Sequence, residues 1–153
     1  MKFRLLDSTD HFWQIAKKYA ENCSWRAGKN LAFLMKENQF SDWEKVIVVT
    51  ENEDICGFCT VQKNDCIPDV SYTPYVSYIF VDEKYRGNRL SQLMIQYAER
   101  YLKKVGFSDI YLISDHENLY EKYGFVVIDR KVAPWGSVEK IYRKEINIST
   151  YTE

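Results

Sequence analysis

The chain has 153 residues, enough for one domain with a substantial core. Apolar residues make up 46% of it and aromatic residues 16%, so a globular fold is expected and long disorder is excluded. A net charge of −1 and a pI of about 6.2 exclude non-specific nucleic-acid binding, which needs a strong basic excess, but leave room for a local basic pocket.

The chain starts MKFRLLDSTDHFW, a short apolar run broken by charge that does not read as a secretory signal. No apolar run approaches the ~20 residues that span a bilayer, so a cytoplasmic protein without a membrane partner is expected. Phe3 to Leu6 suits a first strand. Ser8 or Thr9 offers an N-cap, after which Phe12, Ile15, Ala16, Tyr19 and Ala20 follow helical spacing. A polar break from Asn22 to Gly28 precedes a second helix across Leu31, Leu34 and Met35. Val46 to Thr50 is a β-branched strand, Glu51 to Asp54 a turn, and Ile55 to Lys63 the returning arm of a hairpin. Residues 64–74 hold Pro68 and Pro74 and read as a loop. Val76 to Val81 is the next strand.

The clearest helix runs from Ser91 to Val105, with Leu90, Leu93, Met94, Tyr97, Ala98, Tyr101, Leu102 and Val105 at helical spacing and Gly106 placed as its C-terminal cap. Ile110 to Ser114 is a strand, and Leu119 to Tyr123 a short helix closed by Gly124. Phe125 to Asp129 and Val138 to Ile146 are the last strands, joined by a loop with Pro134, Trp135 and Gly136.

Four cysteines are present: Cys23, Cys56, Cys59 and Cys66. Without a secretory signal, disulfides are not expected. Cys56 and Cys59 have the spacing of a redox or zinc pair, but a redox pair sits at a helix start and these sit in a strand. Residues so spaced on a regular strand point to opposite faces. A zinc site needs two further ligands, and Cys23 and Cys66 are not spaced as a second pair. Partly buried thiols are the favoured reading, and no metal is expected. A redox or zinc module is the competing one, marked by bound metal or a thiol-dependent activity.

The most informative stretch is residues 78–105. A strand ends, Arg86-Gly87-Asn88-Arg89 follows, and a helix begins at once. A helix that starts just after a strand directs free backbone N–H groups into one cleft, which suits phosphate. Two arginines add charge and bidentate donors, and Gly87 removes a Cβ that would block close approach. The segment reads as the pyrophosphate grip of a nucleotide-like cofactor. It is neither a P-loop, since Arg89-Leu90-Ser91 stands where Lys-Ser/Thr is needed, nor a GxGxxG fingerprint. The plainer account makes Arg86 and Arg89 solvated turn residues and Asn88 a turn former.

Val81-Asp82-Glu83-Lys84-Tyr85-Arg86-Gly87-Asn88-Arg89-Leu90-Ser91 closely resembles the acetyl-CoA-binding motif of the GNAT superfamily of N-acetyltransferases, Arg/Gln-x-x-Gly-x-Gly/Ala. Leu119-Tyr120-Glu121-Lys122-Tyr123-Gly124-Phe125 looks like the second signature of that family, and the order of elements fits along almost the whole chain. Arg89 stands at the family's second glycine and Ser91 at its glycine or alanine; serine is small and can cap the helix.

The resemblance implies one N-acetyltransferase-like domain over residues 1–153, of the α/β (α+β) class. A mixed, mostly antiparallel sheet of six to seven strands with about four helices is expected. The order is strand, two helices, three strands, helix, strand, short helix, two strands. The resemblance further implies acetyl-CoA as co-substrate, a small-molecule or peptide amine as acceptor, and a homodimer as a common assembly.

In the family the cofactor lies where two parallel strands splay apart, here Val76 to Val81 and Ile110 to Ser114. Backbone groups of Phe80 and Val81 would bond the pantetheine arm, and the segment Arg86, Gly87, Asn88, Arg89, Leu90 and Ser91 would hold the phosphates. Asn118 resembles an asparagine that bonds the cofactor arm, at a shorter spacing, and helix capping is an equal account.

Tyr120 matches the tyrosine that protonates the departing sulfur, a phenol of pKa ~10 facing a thiol of pKa ~8.5. A core aromatic is the plainer account. The base is open. Family members often place a glutamate on the fourth strand or use a water chain, and this strand offers Ser77 and Tyr78; Asp82, Glu83, His116 and Glu117 stand at loop ends. The acceptor is expected to meet the first two helices and the loops at 24–28, 66–74 and 132–137, with Trp25, Arg26, Tyr72 and Trp135 on the rim. No acidic cluster is visible along the chain. A non-catalytic acyl-CoA sensor is the alternative function, since it too would keep the phosphate grip.

Overall fold

The β-branched run at residues 46–50 forms the middle of strand β2 (Lys45–Glu51), and β3 (Asp54–Gln62) returns beside it as an antiparallel hairpin. A computed structural model describes residues 1–147; residues 148–153 of the span expected as one domain lie outside the described residues. Strand β1 (Lys2–Leu6) pairs outside β2, and β4 (Tyr75–Val81) pairs antiparallel with β3. The second half contributes β5 (Asp109–Ser114), β6 (Val126–Val132) and β7 (Val138–Glu145). The seven strands lie in the order β1-β2-β3-β4-β5-β7-β6, antiparallel everywhere except between β4 and β5.

Alternation along β2 sorts the core into two layers. Ile47 and Val49 face helix α3 (Leu90–Val105), where Leu90, Met94, Ala98 and Leu102 pack on them. Val46 and Val48 face helices α1 (Trp13–Asn22) and α2 (Ala27–Lys36), against Trp13, Ala16, Leu31 and Met35. Each such apolar side chain stabilises the fold by about 1.5–3 kcal/mol. Gly106 caps α3 as the sequence predicts, its N–H donating to the Leu102 and Lys103 carbonyls.

Three expectations are corrected. Helix α1 does not start at Ser8 or Thr9. Asp7 accepts from the Thr9 N–H at 2.9 Å and Asp10 from the Phe12 N–H at 2.8 Å, and these side-chain turns delay the helix to Trp13. The fourth helix is only a 3-10 turn, Tyr120–Tyr123, confined between Asn118 and Gly124, both at positive φ; three α-helices remain among the described residues. Cys56 and Cys59 share a face. A β-bulge shifts the β2–β3 register between Val49 and Thr50, and both thiols enter the α3-side core.

The β4–β5 junction is the irregular one. Tyr75 pairs with Tyr111, the Tyr111 N–H donates to the Pro74 carbonyl at 2.9 Å, and no further residue pair joins the two strands among the described residues. On its other edge β4 carries a bulge: Phe80 pairs with Phe58 and Ser77 with Thr60, so Tyr78 and Ile79 oppose Cys59 alone. Tyr78 takes up the extra residue at φ 50, in the left-handed region. Gly57 lets the strands close beyond the bulge, since a Cβ there would stand 2.6 Å from the Phe80 carbonyl oxygen.

An ion pair crosses from α3 to β7. Glu99, 1% exposed, accepts from Lys144 Nζ at 2.7 Å. Removing one partner of a buried pair leaves the other charge in the core, whereas replacing both with apolar groups is close to neutral. Lys144→Met should therefore lower the unfolding free energy by about 3 kcal/mol, and the double change Glu99→Leu/Lys144→Met should recover most of that loss. Urea denaturation midpoints of the two variants check this.

Candidate active site

The divergence of β4 and β5 opens a cleft of about 350 Å³. Val76 to Ile79 form one wall, Ile113 and Ser114 the other, and Tyr120 closes that second side. Trp25 from the α1–α2 loop and Trp135 from the β6–β7 loop also line it. Trp25 is stacked flat on Phe80, with centroids 5.8 Å apart and planes within 3°, and meets Tyr78 edge-on.

The β4–α3 turn lies at the end of β4. Arg86, Gly87, Asn88 and Arg89 are exposed, whereas the Leu90 side chain is buried among α3 and sheet residues. Gly87 has φ +87, which favours glycine, and the space beside its Cα is open for 4 Å. Arg89 is the N-cap of α3 at φ 57, ψ 27, a left-handed conformation at the position where the resembled motif has glycine. It gives α3 no side-chain cap, and neither does Ser91, whose hydroxyl lies 2.9 Å from the Tyr123 hydroxyl. The Asn88 amide donates to the Tyr85 carbonyl. Arg86 folds back along the strand: its Nε donates to the Val81 carbonyl at 3.0 Å, and its guanidinium stands 3.5 Å from Glu83 and over the Phe80 ring. Asn118 is exposed at φ 60 in the turn after β5.

Tyr120 is 6% exposed, with its ring edge-on to His116, Tyr123, Phe125 and Tyr142. No group among the described residues hydrogen-bonds its hydroxyl. Burial, with smaller contributions from Tyr123, Cys59 and Tyr142, pushes this phenol up to about 12. It therefore carries its proton throughout the neutral range.

Of the four residues expected on an acceptor rim, two border the cleft. Trp25 and Trp135 line the cleft; Arg26 and Tyr72 do not. Tyr72 donates to Asp129 at 2.9 Å and packs on Tyr111. Asp82 and Glu83 lie outside the cleft, engaged by the hydroxyls of Tyr19 (2.5 Å) and Ser24. His116 lines it, exposed, with Nδ1 3.0 Å from the Ser114 hydroxyl. Glu117 pairs with Lys140 at 3.2 Å.

The sequence shows no acidic cluster, yet the fold gathers Asp65, Asp115 and Glu139 around one space. Asp65 is the residue that sequence reasoning misses, because a lone aspartate in a polar loop looks like any turn former. Ser77 Oγ donates to Asp65 Oδ2 at 2.5 Å and the Cys66 N–H to Oδ1 at 2.6 Å. Burial raises the Asp65 carboxyl above the usual carboxylate range, and those two bonds pull it part of the way back.

All four cysteines are free thiols, and no three His, Cys, Asp or Glu side chains among the described residues are placed to hold a metal ion; Asp65, Asp115 and Glu139 share a cleft without forming such a group. No helix among them is long and apolar enough to cross a membrane. A family model described as an acetyltransferase (GNAT) domain matches residues 42–127. No curated protein matches the chain.

Several solved structures share the fold. Aminoglycoside 6'-acetyltransferase type Ii superposes with a TM-score of 0.73 at 18% identity, over 96% of this chain and 98% of that one. An aminoglycoside 6'-N-acetyltransferase complexed with coenzyme A gives 0.71 at 16%, over 96% and 98%. The acetyltransferase of GNAT family from Streptococcus pneumoniae gives 0.64 at 16%, over 95% and 99%. At these identities the likeness is one of fold. The matched family model, however, spans more than half of the sequence and takes in both the β4–α3 turn and Tyr120, and the chain belongs to the GNAT acetyltransferase family.

Proposed function

We propose that the chain acts as one domain that moves an acetyl group from acetyl-CoA to an amine, by direct attack of the amine on the thioester. The observation that carries this reading is the cleft between β4 and β5, lined by a protonated phenol and by carboxylates. The residues present fit the cofactor. Backbone groups of Phe80 and Val81 would meet the pantetheine arm. The N–H groups from Gly87 to Ser91 face an open turn at the start of a 16-residue helix, whose N-terminus favours anions. Arg86 would exchange its exposed pairing with Glu83, which contributes little to stability, for a phosphate. Arg89 and Asn118 would complete the contacts. When bound, acetyl-CoA supplies the activated acetyl group; Tyr120 donates a proton to the sulfur as it leaves.

In the same cleft, Trp25, Trp135 and the carboxylates favour a positively charged amine, by cation–π and Coulombic attraction. Two of the similar folds are named as aminoglycoside 6'-acetyltransferases, and amines of that kind belong in the first panel tested. Thiol release from acetyl-CoA across an amine panel tests the activity. An enzyme releases thiol in an amine-dependent way, whereas a sensor only binds.

Tyr120→Phe removes the proton donor and leaves the cofactor contacts in place. It should lower kcat about 100-fold with unchanged coenzyme A affinity; equal turnover would remove Tyr120 from the mechanism.

Arg86→Ala should weaken coenzyme A much more than it weakens pantetheine, because the arginine acts on phosphate. Calorimetric titration of both ligands measures the difference, and equal losses would count against the phosphate role.

Arg89→Gly relieves a left-handed residue, which costs ~1–2 kcal/mol, against the greater chain entropy of glycine. It should raise stability by about 0.5–1 kcal/mol and weaken coenzyme A binding. A denaturant midpoint and a cofactor titration on the same sample read both effects.

A further inference from the structure

The acetyl-transfer reading leaves one role without a residue, the group that takes a proton from the acceptor amine. Strand β4 offers Ser77 and Tyr78 to the cleft, and neither hydroxyl is a base near neutral pH. A carboxylate does reach this part of β4, but from the loop that follows β3. Asp65 lines the cleft and accepts the Ser77 hydroxyl on one oxygen and the Cys66 N–H on the other. Each oxygen keeps a lone pair, because an ionised carboxylate offers about four acceptor sites. The loop is anchored next door, where Ile67 packs with Ala133 and Ile141 beneath the sheet end.

The other candidates are engaged, face another surface or, like Asp115, stand exposed on the β5 side without the buried, hydrogen-bonded setting of Asp65. Asp82 is held by Tyr19 and Glu83 by Ser24 at a separate surface, and Glu117 pairs with Lys140. Glu139, 7% exposed, accepts the Ser137 hydroxyl. His116 is exposed and sits with Ser114 on the β5 side, beside Tyr120.

Resting on that reading, we propose that Asp65 is the general base, acting from the β4 side of the cleft while Tyr120 acts as acid on the opposite wall. The acceptor enters as an ammonium ion, and Asp65 takes one proton, leaving a nitrogen lone pair. The nitrogen–carbon bond to the acetyl group forms, the carbon–sulfur bond breaks, and Tyr120 gives its proton to the sulfur. The surplus proton on the new amide nitrogen restores Tyr120 through solvent, and Asp65 releases its proton to solvent. The products are the amide, free thiol and one proton.

The surroundings suit the role. Burial raises the Asp65 carboxyl and so strengthens it as a base, while Ser77 and the Cys66 N–H favour its charged form. The groups facing it are Cys66 in its own loop, Tyr75 and Tyr78 on β4, Glu139 on β7, and Asp115 and His116 beyond β5. The Cys66 thiol is pushed up to about 12 by burial and by Asp65, so it adds no charge beside the carboxylate.

The test is the pH dependence of kcat, by thiol release, for wild type and the variants Asp65→Asn, Ser77→Ala and His116→Gln, with coenzyme A affinity and circular dichroism measured on each. Wild-type kcat should fall on the acid side as Asp65 takes a proton. Asp65→Asn should lose that limb and about 100-fold or more in kcat, with cofactor affinity unchanged. Ser77→Ala removes a bond that favours the charged carboxylate, so its limb should move to higher pH. His116→Gln should keep the limb.

An Asp65→Asn variant within about threefold of wild-type kcat, limb intact, overturns the assignment, as does a limb lost in His116→Gln. If Asp65→Asn does not fold, Ser77→Ala decides, and an unmoved limb overturns the proposal. A wild type that binds coenzyme A but releases no thiol with any amine overturns the acetyl-transfer reading, and Asp65 with it. An active wild type with an unaffected Asp65→Asn overturns the base alone.

Discussion

The parting of β4 from β5 is the constraint on which the site depends. Two parallel strands normally keep their ladder, because a buried backbone N–H or carbonyl without a partner costs as much as a lost hydrogen bond. Here the ladder stops at Tyr75 and Tyr111, so the backbone beyond is left to other partners. One is already visible, since Arg86 covers the Val81 carbonyl. The bulge at Tyr78 disturbs the opposite edge of the same strand, and its left-handed residue is a local cost that the packed surroundings must carry. The central sheet beside the opening is packed on both faces, by Leu90, Met94 and Ala98 of α3 below and by Trp25 on Phe80 and Phe58 above.

The α1–α2 loop and the β4–α3 turn are mechanically joined. Tyr19 and Ser24, from α1 and the loop after it, donate to Asp82 and Glu83 at the start of the β4–α3 turn. The Tyr19 bond, with smaller help from the Lys84 N–H, holds the Asp82 carboxyl below its usual range, so this contact persists through neutral pH and weakens only as Asp82 takes up a proton in acid. Trp25 lies just beyond Ser24, so a ring that lines the cleft and the β4–α3 turn are tied by one short run of residues. A cofactor that drew Arg86 away from Glu83 would alter the charge beside Ser24 as well.

Features of short range were legible in the sequence. The β-branched strand at residues 46–50, the α3 stripe and its Gly106 cap, and the basic turn from Arg86 to Ser91 all declare themselves through local pattern. The seven-stranded, mostly antiparallel sheet followed once the turn and the Tyr120 segment were seen in order. Features set by long-range register were not legible. A bulge moves Cys56 onto the face of Cys59, and nothing near either cysteine announces it. Asp65, Asp115 and Glu139 are far apart in the chain and meet only because β4 and β5 part and β7 returns beside β5. Helix α1 began late because aspartates at residues 7 and 10, rather than the serine or threonine between them, captured the free N–H groups.

One environment acts on both titratable walls of the cleft in the same direction. Burial disfavours the charged form of a phenol and of a carboxylic acid alike, so Tyr120 and Asp65 both move up. Their starting values, ~10 and ~3.9, turn this common push into opposite capacities. A phenol raised to about 12 holds its proton throughout the neutral range, which is what the proposed role of Tyr120 as acid requires. A carboxylate raised from a low value accepts a proton more readily, provided it stays ionised before the acceptor arrives. Hydrogen bonds to the charged form secure that second condition: Asp65 has two, from Ser77 and the Cys66 N–H, while the Tyr120 hydroxyl has none among the described residues. The proposed division into proton donor and proton acceptor thus rests on which wall supplies donors, and the bulged strand that bends β4 also brings Ser77 to Asp65.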